Sequence, residues 1–314
     1  MKNVFVFGGQ GSQYHNMGKY LFDTNGVFRN YMIEMNQIHM DLSGVSILDK
    51  IYGKFTLSEF SDISHTHPAI FMVEYSLYQL LLSFGIYPDI VVGSSLGEFA
   101  SCAVAGVADY KNIFISLIRQ ASLIKSHFPK GTMISILHNH NIWNEHPILR
   151  QNSEIVSING ERHFTISILK KSEELVIGYL RKCLFSYQKL DVNYPFHSSF
   201  IDHMEETYVS AFENENFKKP NMDFISSVTG KREDCIDLDY LWRVVRNPIR
   251  FIDAVSGIMD HDISVIDLSP ASTLVSLLNY CGIFEDMNLY GIMSPYHNEN
   301  KNLETLRKGE KHLC

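Results

Sequence analysis

Apolar residues in this chain fall into two textures, short unbroken runs and longer stripes at helical spacing. "NVFVFGG" near the N-terminus and "DIVVGSS" at 89–95 are β-rich runs stopped by small residues, the pattern of strands buried on both faces of a parallel sheet. Between them, "HPAIFMVEYSLYQLLLSFG" carries apolar positions at helical spacing, with Pro68 near its start and Gly85 after its end. A helix opening near Pro68 is therefore predicted, and the order of elements points to a layered βα core.

The texture changes from about Gly131 to Tyr194. "TMISIL", "EIVSINGERHFTISIL" with a turn at Asn159-Gly160, "SEELVIGYLRKCLF" and "YQKLDVNYPF" read as strand, hairpin, helix and strand. The expected organisation is a small α+β subdomain over 130–195 inserted into a larger one made of 1–129 and 196–314. After the insert, "SSFIDHMEETYVSAFEN" reads as helix, "DFISSVTG" and "SVIDLSP" as strands, and the tail "HNENKNLETLRKGEKHLC" as polar and loosely held.

Composition narrows the class. The 314 residues are 45% apolar, enough to bury one large core with a smaller inserted one. The net charge of -8, without a long Lys/Arg run, offers no electrostatic footprint for nucleic acid or an anionic membrane. Cys102, Cys183, Cys235, Cys281 and Cys314 are scattered and odd in number, so neither a disulfide framework nor a metal site is expected. No signal peptide or membrane span of roughly 20 apolar residues is visible, and a soluble cytoplasmic protein is expected.

The candidate chemistry sits at Gly93-Ser94-Ser95-Leu96-Gly97, a G-x-S-x-G match preceded by a strand pattern and followed by an alanine-rich helical one. That context puts the central serine on a sharp strand-to-helix turn. Only Ser95 has glycines at both -2 and +2. A helix starting beyond it makes the Leu96 N–H the first donor to an oxyanion formed during acyl transfer. "GGQGSQ" (8–13) resembles a phosphate loop, but Tyr14 occupies the third-glycine position of a dinucleotide fingerprint, and the Walker spacing fails at Gln13 and Tyr20. A turn presenting Gln10 at the same sheet edge as Ser95 remains.

Taken together, "FVFGGQGSQ", "THPAIF", "GSSLGEFASCAVAGV", "YPFH" and "RNPIRF", in this order over nearly the whole chain, resemble the malonyl-CoA:acyl carrier protein transacylase family, which includes polyketide synthase acyltransferase domains. The resemblance implies an α/β-hydrolase-like core with a parallel sheet and an inserted ferredoxin-like subdomain. It implies a Ser-His pair, Ser95 as nucleophile and His197 as general base, with Gln10 and the Leu96 N–H as oxyanion donors. A backbone carbonyl orients the histidine in the family, and the matching position is Val244. No bound cofactor is implied; the acyl group arrives on the phosphopantetheine of an acyl carrier protein, or on CoA.

The chain departs from the family where relatives hold the malonyl carboxylate with an arginine, because that position falls on Gln120. On a helical wheel Ile113, Phe114, Leu117, Ala121 and Ile124 share one inward face; Gln120 borders it and Arg119 points away, so Arg119 is no substitute. Ser94, His67 and Phe196 are the other expected members of the acyl pocket. Loss of the arginine resembles a branch of the family that hydrolyses unwanted acyl groups from carrier proteins.

The leading expectation is accordingly a stand-alone acyl hydrolase of polyketide biosynthesis releasing short uncharged acyl groups such as acetyl. The alternatives are a transacylase using malonyl or an uncharged starter, a non-catalytic carrier-binding protein, and a general serine esterase. The expected partner is an acyl carrier protein domain, with Lys170-Lys171, Lys218-Lys219 and the C-terminal lysines as candidate docking charges.

Overall fold

The computed structural model describes residues 2–53, 61–212, 216–258, 263–282 and 287–309. Ten strands form two sheets. β1 (Lys2–Phe7), β2 (Ile90–Gly93), β7 (Asp223–Ser226), β8 (Lys231–Arg232), β9 (Ile263–Asp267) and β10 (Asn288–Gly291) make a six-stranded sheet in the order β10-β9-β1-β2-β7-β8. All pairs are parallel except the short edge pair β7–β8. Val4, Val6, Ile90, Val92 and Val265 pack against one helical layer, and Phe5, Phe7, Val91 and Ile266 against the other. Burial on both faces is why these strands read as unbroken apolar runs.

The insert carries β3 (Gly131–Ile136), β4 (Glu154–Ile158), β5 (Phe164–Leu169) and β6 (Tyr187–Lys189), antiparallel in the order β4-β5-β3-β6. With helices after β3 and between β5 and β6, this is the βαββαβ arrangement of a ferredoxin-like unit. It has its own core of Ile134, Ile136, Leu149, Phe164, Ile166, Ile168, Val176 and Leu180. Each such side chain, fully buried, contributes about 1.5–3 kcal/mol relative to exposure.

Three local expectations are corrected. The helix containing Pro68 runs Ile63–Ser83, opening ahead of the proline because the Asp62 side chain caps it at the Ser64 N–H. The segment after "YPFH" begins as a tighter 3₁₀ turn, Ser199–Met204, before a short α-helix, Glu205–Ser210. The polar tail is ordered through helix Glu299–Lys308, whose Glu299, Asn302 and Leu303 are buried, with Asn302 donating to the Ile292 carbonyl. Cys102, Cys183, Cys235 and Cys281 are free thiols, and Cys314 lies outside the described residues. Among the described residues no helix is long and apolar enough to cross a membrane.

Candidate active site

The turns after β1 and β2 leave the same sheet edge, since Phe7 pairs with Gly93. Ligands of open parallel sheets bind at this edge. The two motif glycines are there because nothing larger fits. A Cβ on Gly97 would lie 2.0 Å from the Phe7 carbonyl oxygen, and one on Gly93 would lie 2.4 Å from the Glu98 Cα. The chain thus turns directly into the helix Gly97–Val104, every residue of which is buried.

Ser95 sits on this turn with φ 54°, in the left-handed region, and His197 with φ 61°. Both are non-glycine residues held in a sparsely populated conformation, the kind of backbone strain that clusters at functional sites. The Ser95 Oγ lies 2.8 Å from His197 Nε2, joining residues 102 apart in the chain.

The ring is held from behind by backbone. Its Nδ1 lies 2.9 Å from the Asn247 carbonyl, and the His197 N–H donates to the Val245 carbonyl. A carbonyl can only accept, so Nδ1 carries the proton and Nε2 presents its lone pair to the serine hydroxyl. This corrects Val244 as the orienting residue. Val244 lies within helix Leu238–Arg246 and lines the pocket, whereas Asn247 is the extended residue at the helix end whose carbonyl is free to turn toward the histidine. Pro248 enforces that geometry, since the residue before proline is pushed out of the helical region.

Burial pushes the His197 imidazole down to about 4, with the Asn247 hydrogen bond acting in the opposite direction. The ring is therefore neutral and basic at neutral pH. Lowering the pH through about 4 protonates Nε2 and removes the lone pair that accepts the serine proton. The rate of Ser95 labelling by a fluorophosphonate should stay level from pH 8 to about 5 and fall only below that; a midpoint near the ordinary histidine value of 6.5 would contradict this burial.

Gln10 is locked by two partners. Its Oε1 accepts from the Thr66 hydroxyl at 2.8 Å, and its Nε2 faces the Asp191 carbonyl at 3.4 Å. Leu96 is the N-cap of helix Gly97–Val104, so its N–H precedes the intrahelical ladder. Gln10, Leu96, Ser95, His197, His67, Phe99, Gln120, Phe196, Val244 and Val245 line one cavity of about 30 Å³.

Gln120 is 2% exposed and reaches this cavity from helix Tyr110–His127, while Arg119 is exposed on the far side. The Tyr208 hydroxyl donates to Gln120 Oε1. Ser94 lines the adjoining cleft of about 290 Å³, where Gln10, Ser95, Phe196 and His197 also open. A cleft of about 490 Å³ lined by Lys125, Lys130, Lys170 and Lys189 contains neither Ser95 nor His197; Lys125 pairs with Asp62, Lys170 and Lys189 pair with Glu173, and Lys130 donates to the Tyr194 hydroxyl.

Glu98, one turn beyond Ser95, was not singled out from sequence. It is fully buried, accepts from the Ser227 N–H and hydroxyl through Oε1 and from the Tyr240 hydroxyl through Oε2, and burial raises its carboxyl to about 7. Tyr240 lies on the helix that ends at Asn247, so this network ties helix Gly97–Val104 to the element that holds His197. Its only sequence signal was an acidic residue inside an otherwise apolar helical run. Among the described residues no group of three or more His, Cys, Asp or Glu side chains is arranged to hold a metal.

The acyl transferase domain model matches residues 4–313. The polyketide biosynthesis acyltransferase homolog PksD of Bacillus subtilis is 42% identical, over 96% of this chain and 95% of its own length. The homolog BaeD of Bacillus velezensis is 35% identical over the same shares. The fold matches a loading acyltransferase of the avermectin modular polyketide synthase, with a TM-score of 0.85 at 23% identity over 97% of this chain and 99% of that one. It also matches the malonyl CoA-acyl carrier protein transacylase of Clostridium perfringens, with a TM-score of 0.82 at 20% identity over 98% of each chain. With a family match over almost its full length and a 42% identical relative covered end to end, this chain belongs to the acyl transferase domain family.

Proposed function

We propose that the protein is an acyl hydrolase of polyketide biosynthesis that takes short, uncharged acyl groups such as acetyl from the phosphopantetheine of an acyl carrier protein in the cytoplasm. The observation that carries this reading is the neutrality of the cavity beside Ser95. Among the described residues no lysine or arginine lines it, Gln120 contributes an amide, and burial keeps both His67 and His197 uncharged. A desolvated carboxylate there would have no cation to pair with.

The sequence of steps follows from the geometry. His197 Nε2 takes the Ser95 proton as Oγ attacks the thioester carbon. Gln10 Nε2 and the Leu96 N–H receive the developing oxyanion. Collapse breaks the carbon–sulfur bond, and the pantetheine sulfur leaves with the proton held by His197. Water then enters through the adjoining cleft, gives a proton to His197 and attacks the ester, and the free acid departs as Ser95 recovers its proton. The acyl carrier protein meets this cleft, and exposed Lys170, Lys171, Lys218 and Lys219 are docking charges to test.

Transfer to a second thiol would use the same acyl-enzyme, and the names of the two bacterial relatives, both acyltransferase homologs, favour keeping it as the rival. Incubation with acetyl-carrier protein and with malonyl-carrier protein, each with an unloaded second carrier present, separates the two by intact mass. Free acetate without acetylated second carrier is expected; efficient malonyl transfer with negligible acetate release would overturn the proposal.

A further inference from the structure

We propose that the acyl pocket selects short acyl groups bearing a neutral oxygen acceptor on C3, a 3-hydroxy or 3-oxo group, and that His67 reads this oxygen. The inference rests on the proposed acylation of Ser95 and names the substrate class of that same pocket.

His67 is 3% exposed, and its Nδ1 is closed off from solvent without a hydrogen-bond partner. A buried polar atom left unpaired is uncommon and calls for a physical reason. Burial drives the imidazole down to about 4, so the ring is neutral and carries a single proton. Placing that proton on Nδ1 would strand a donor in the protein interior. Placing it on Nε2 leaves only an acceptor unpaired, the less costly arrangement, and offers an N–H to the cavity that His67 lines.

Gln120 supplies a second donor. Tyr208 donates to its Oε1, which leaves the amide NH₂ as the group without that partner. The cavity therefore combines two neutral donors with walls of Phe99, Phe196 and Val245. A methyl or methylene group would leave both donors unpaired. A carboxylate would pair them but bring a full charge with no cation. A hydroxyl or ketone oxygen accepts from both without charge. The thioester carbon is fixed at Ser95, and an oxygen on C3 can swing about both the C1–C2 and C2–C3 bonds to meet the two donors, whereas an oxygen on C2 turns about a single bond.

The test uses carrier proteins loaded with butyryl, 3-hydroxybutyryl or 3-oxobutyryl groups, which share a four-carbon chain and differ only at C3, with acetyl-carrier as reference. Acylation of Ser95 is followed by rapid-quench intact mass, whatever the later fate of the acyl-enzyme. The native protein should load one or both oxygenated groups about tenfold or more faster than butyryl, in kcat/KM. In His67→Leu the ratio should collapse to within about threefold, and in His67→Gln, which keeps a donor amide, most of it should return. Two arms distinguish hydroxyl from ketone as the preferred acceptor. Equal loading of all three groups, failure of all three while acetyl loads, or a preference that survives His67→Leu would overturn the proposal alone. Failure of acetyl as well would overturn the acyl-enzyme reading beneath it.

Discussion

Replacing Ser95 with alanine is expected to abolish acyl-enzyme formation and lower thioester cleavage by about 10⁴-fold or more, and His197→Ala should cost nearly as much. The reason is that the two side chains act as one unit. A serine hydroxyl is a poor nucleophile until a base removes its proton, and Ser95 has the His197 imidazole 2.8 Å away, neutral and with the lone pair facing it. The double variant should therefore be hardly worse than either single one, far from the product of their effects. Carrier binding should survive, because Ser95 and His197 are only two of the many residues that line the outer cleft. The check is single-turnover release of acid from acetyl-carrier protein, with fluorophosphonate labelling of Ser95 read in parallel. Native-like turnover by Ser95→Ala would place the chemistry elsewhere, and failure of the native protein to label would point to a carrier-binding protein without catalysis.

Much of this site could be read before the fold was known, because its parts are local. The glycines at 93 and 97 mark a backbone that must pass within contact distance of Glu98 and Phe7. Likewise, the helical wheel placed Gln120 inward and Arg119 outward, as the burial along Tyr110–His127 shows. What escaped depends on chain direction or on distant partners. Asn247, not Val244, holds His197, because a helix end followed by proline frees the last carbonyl; the Asn247-Pro248 pair was visible, but its consequence for the carbonyl was not drawn. The Tyr208–Gln120 contact spans 88 residues and the Tyr240–Glu98 contact 142, separations that no local periodicity encodes. The tail misled because its burial uses few apolar residues: Leu303 is buried with polar Glu299 and Asn302.

Gln120→Arg should convert the pocket from rejecting to accepting a carboxylate, raising malonyl loading of Ser95 by roughly 10²-fold or more while lowering acetyl loading. Removing one partner of a buried ion pair costs about 3–5 kcal/mol, and supplying the missing cation recovers part of that amount. At 1.4 kcal/mol per factor of ten, even about 3 kcal/mol is a hundredfold change. Arginine suits the role because its planar fork can pair both carboxylate oxygens. The same charge disfavours a methyl group, since with acetyl bound the guanidinium would be desolvated without a counter-ion. One local conflict must be removed for a clean result. Gln120 accepts from the buried Tyr208 hydroxyl, and an arginine has no acceptor to offer, so the single variant strands that donor. Pairing the substitution with Tyr208→Phe removes the stranded group, and the double variant should show the larger malonyl gain. The measurement is Ser95 acylation from malonyl-carrier and acetyl-carrier protein by intact mass, in the native protein and both variants. If malonyl loading fails to rise in a folded double variant, the identity of residue 120 does not set the charge preference of this pocket.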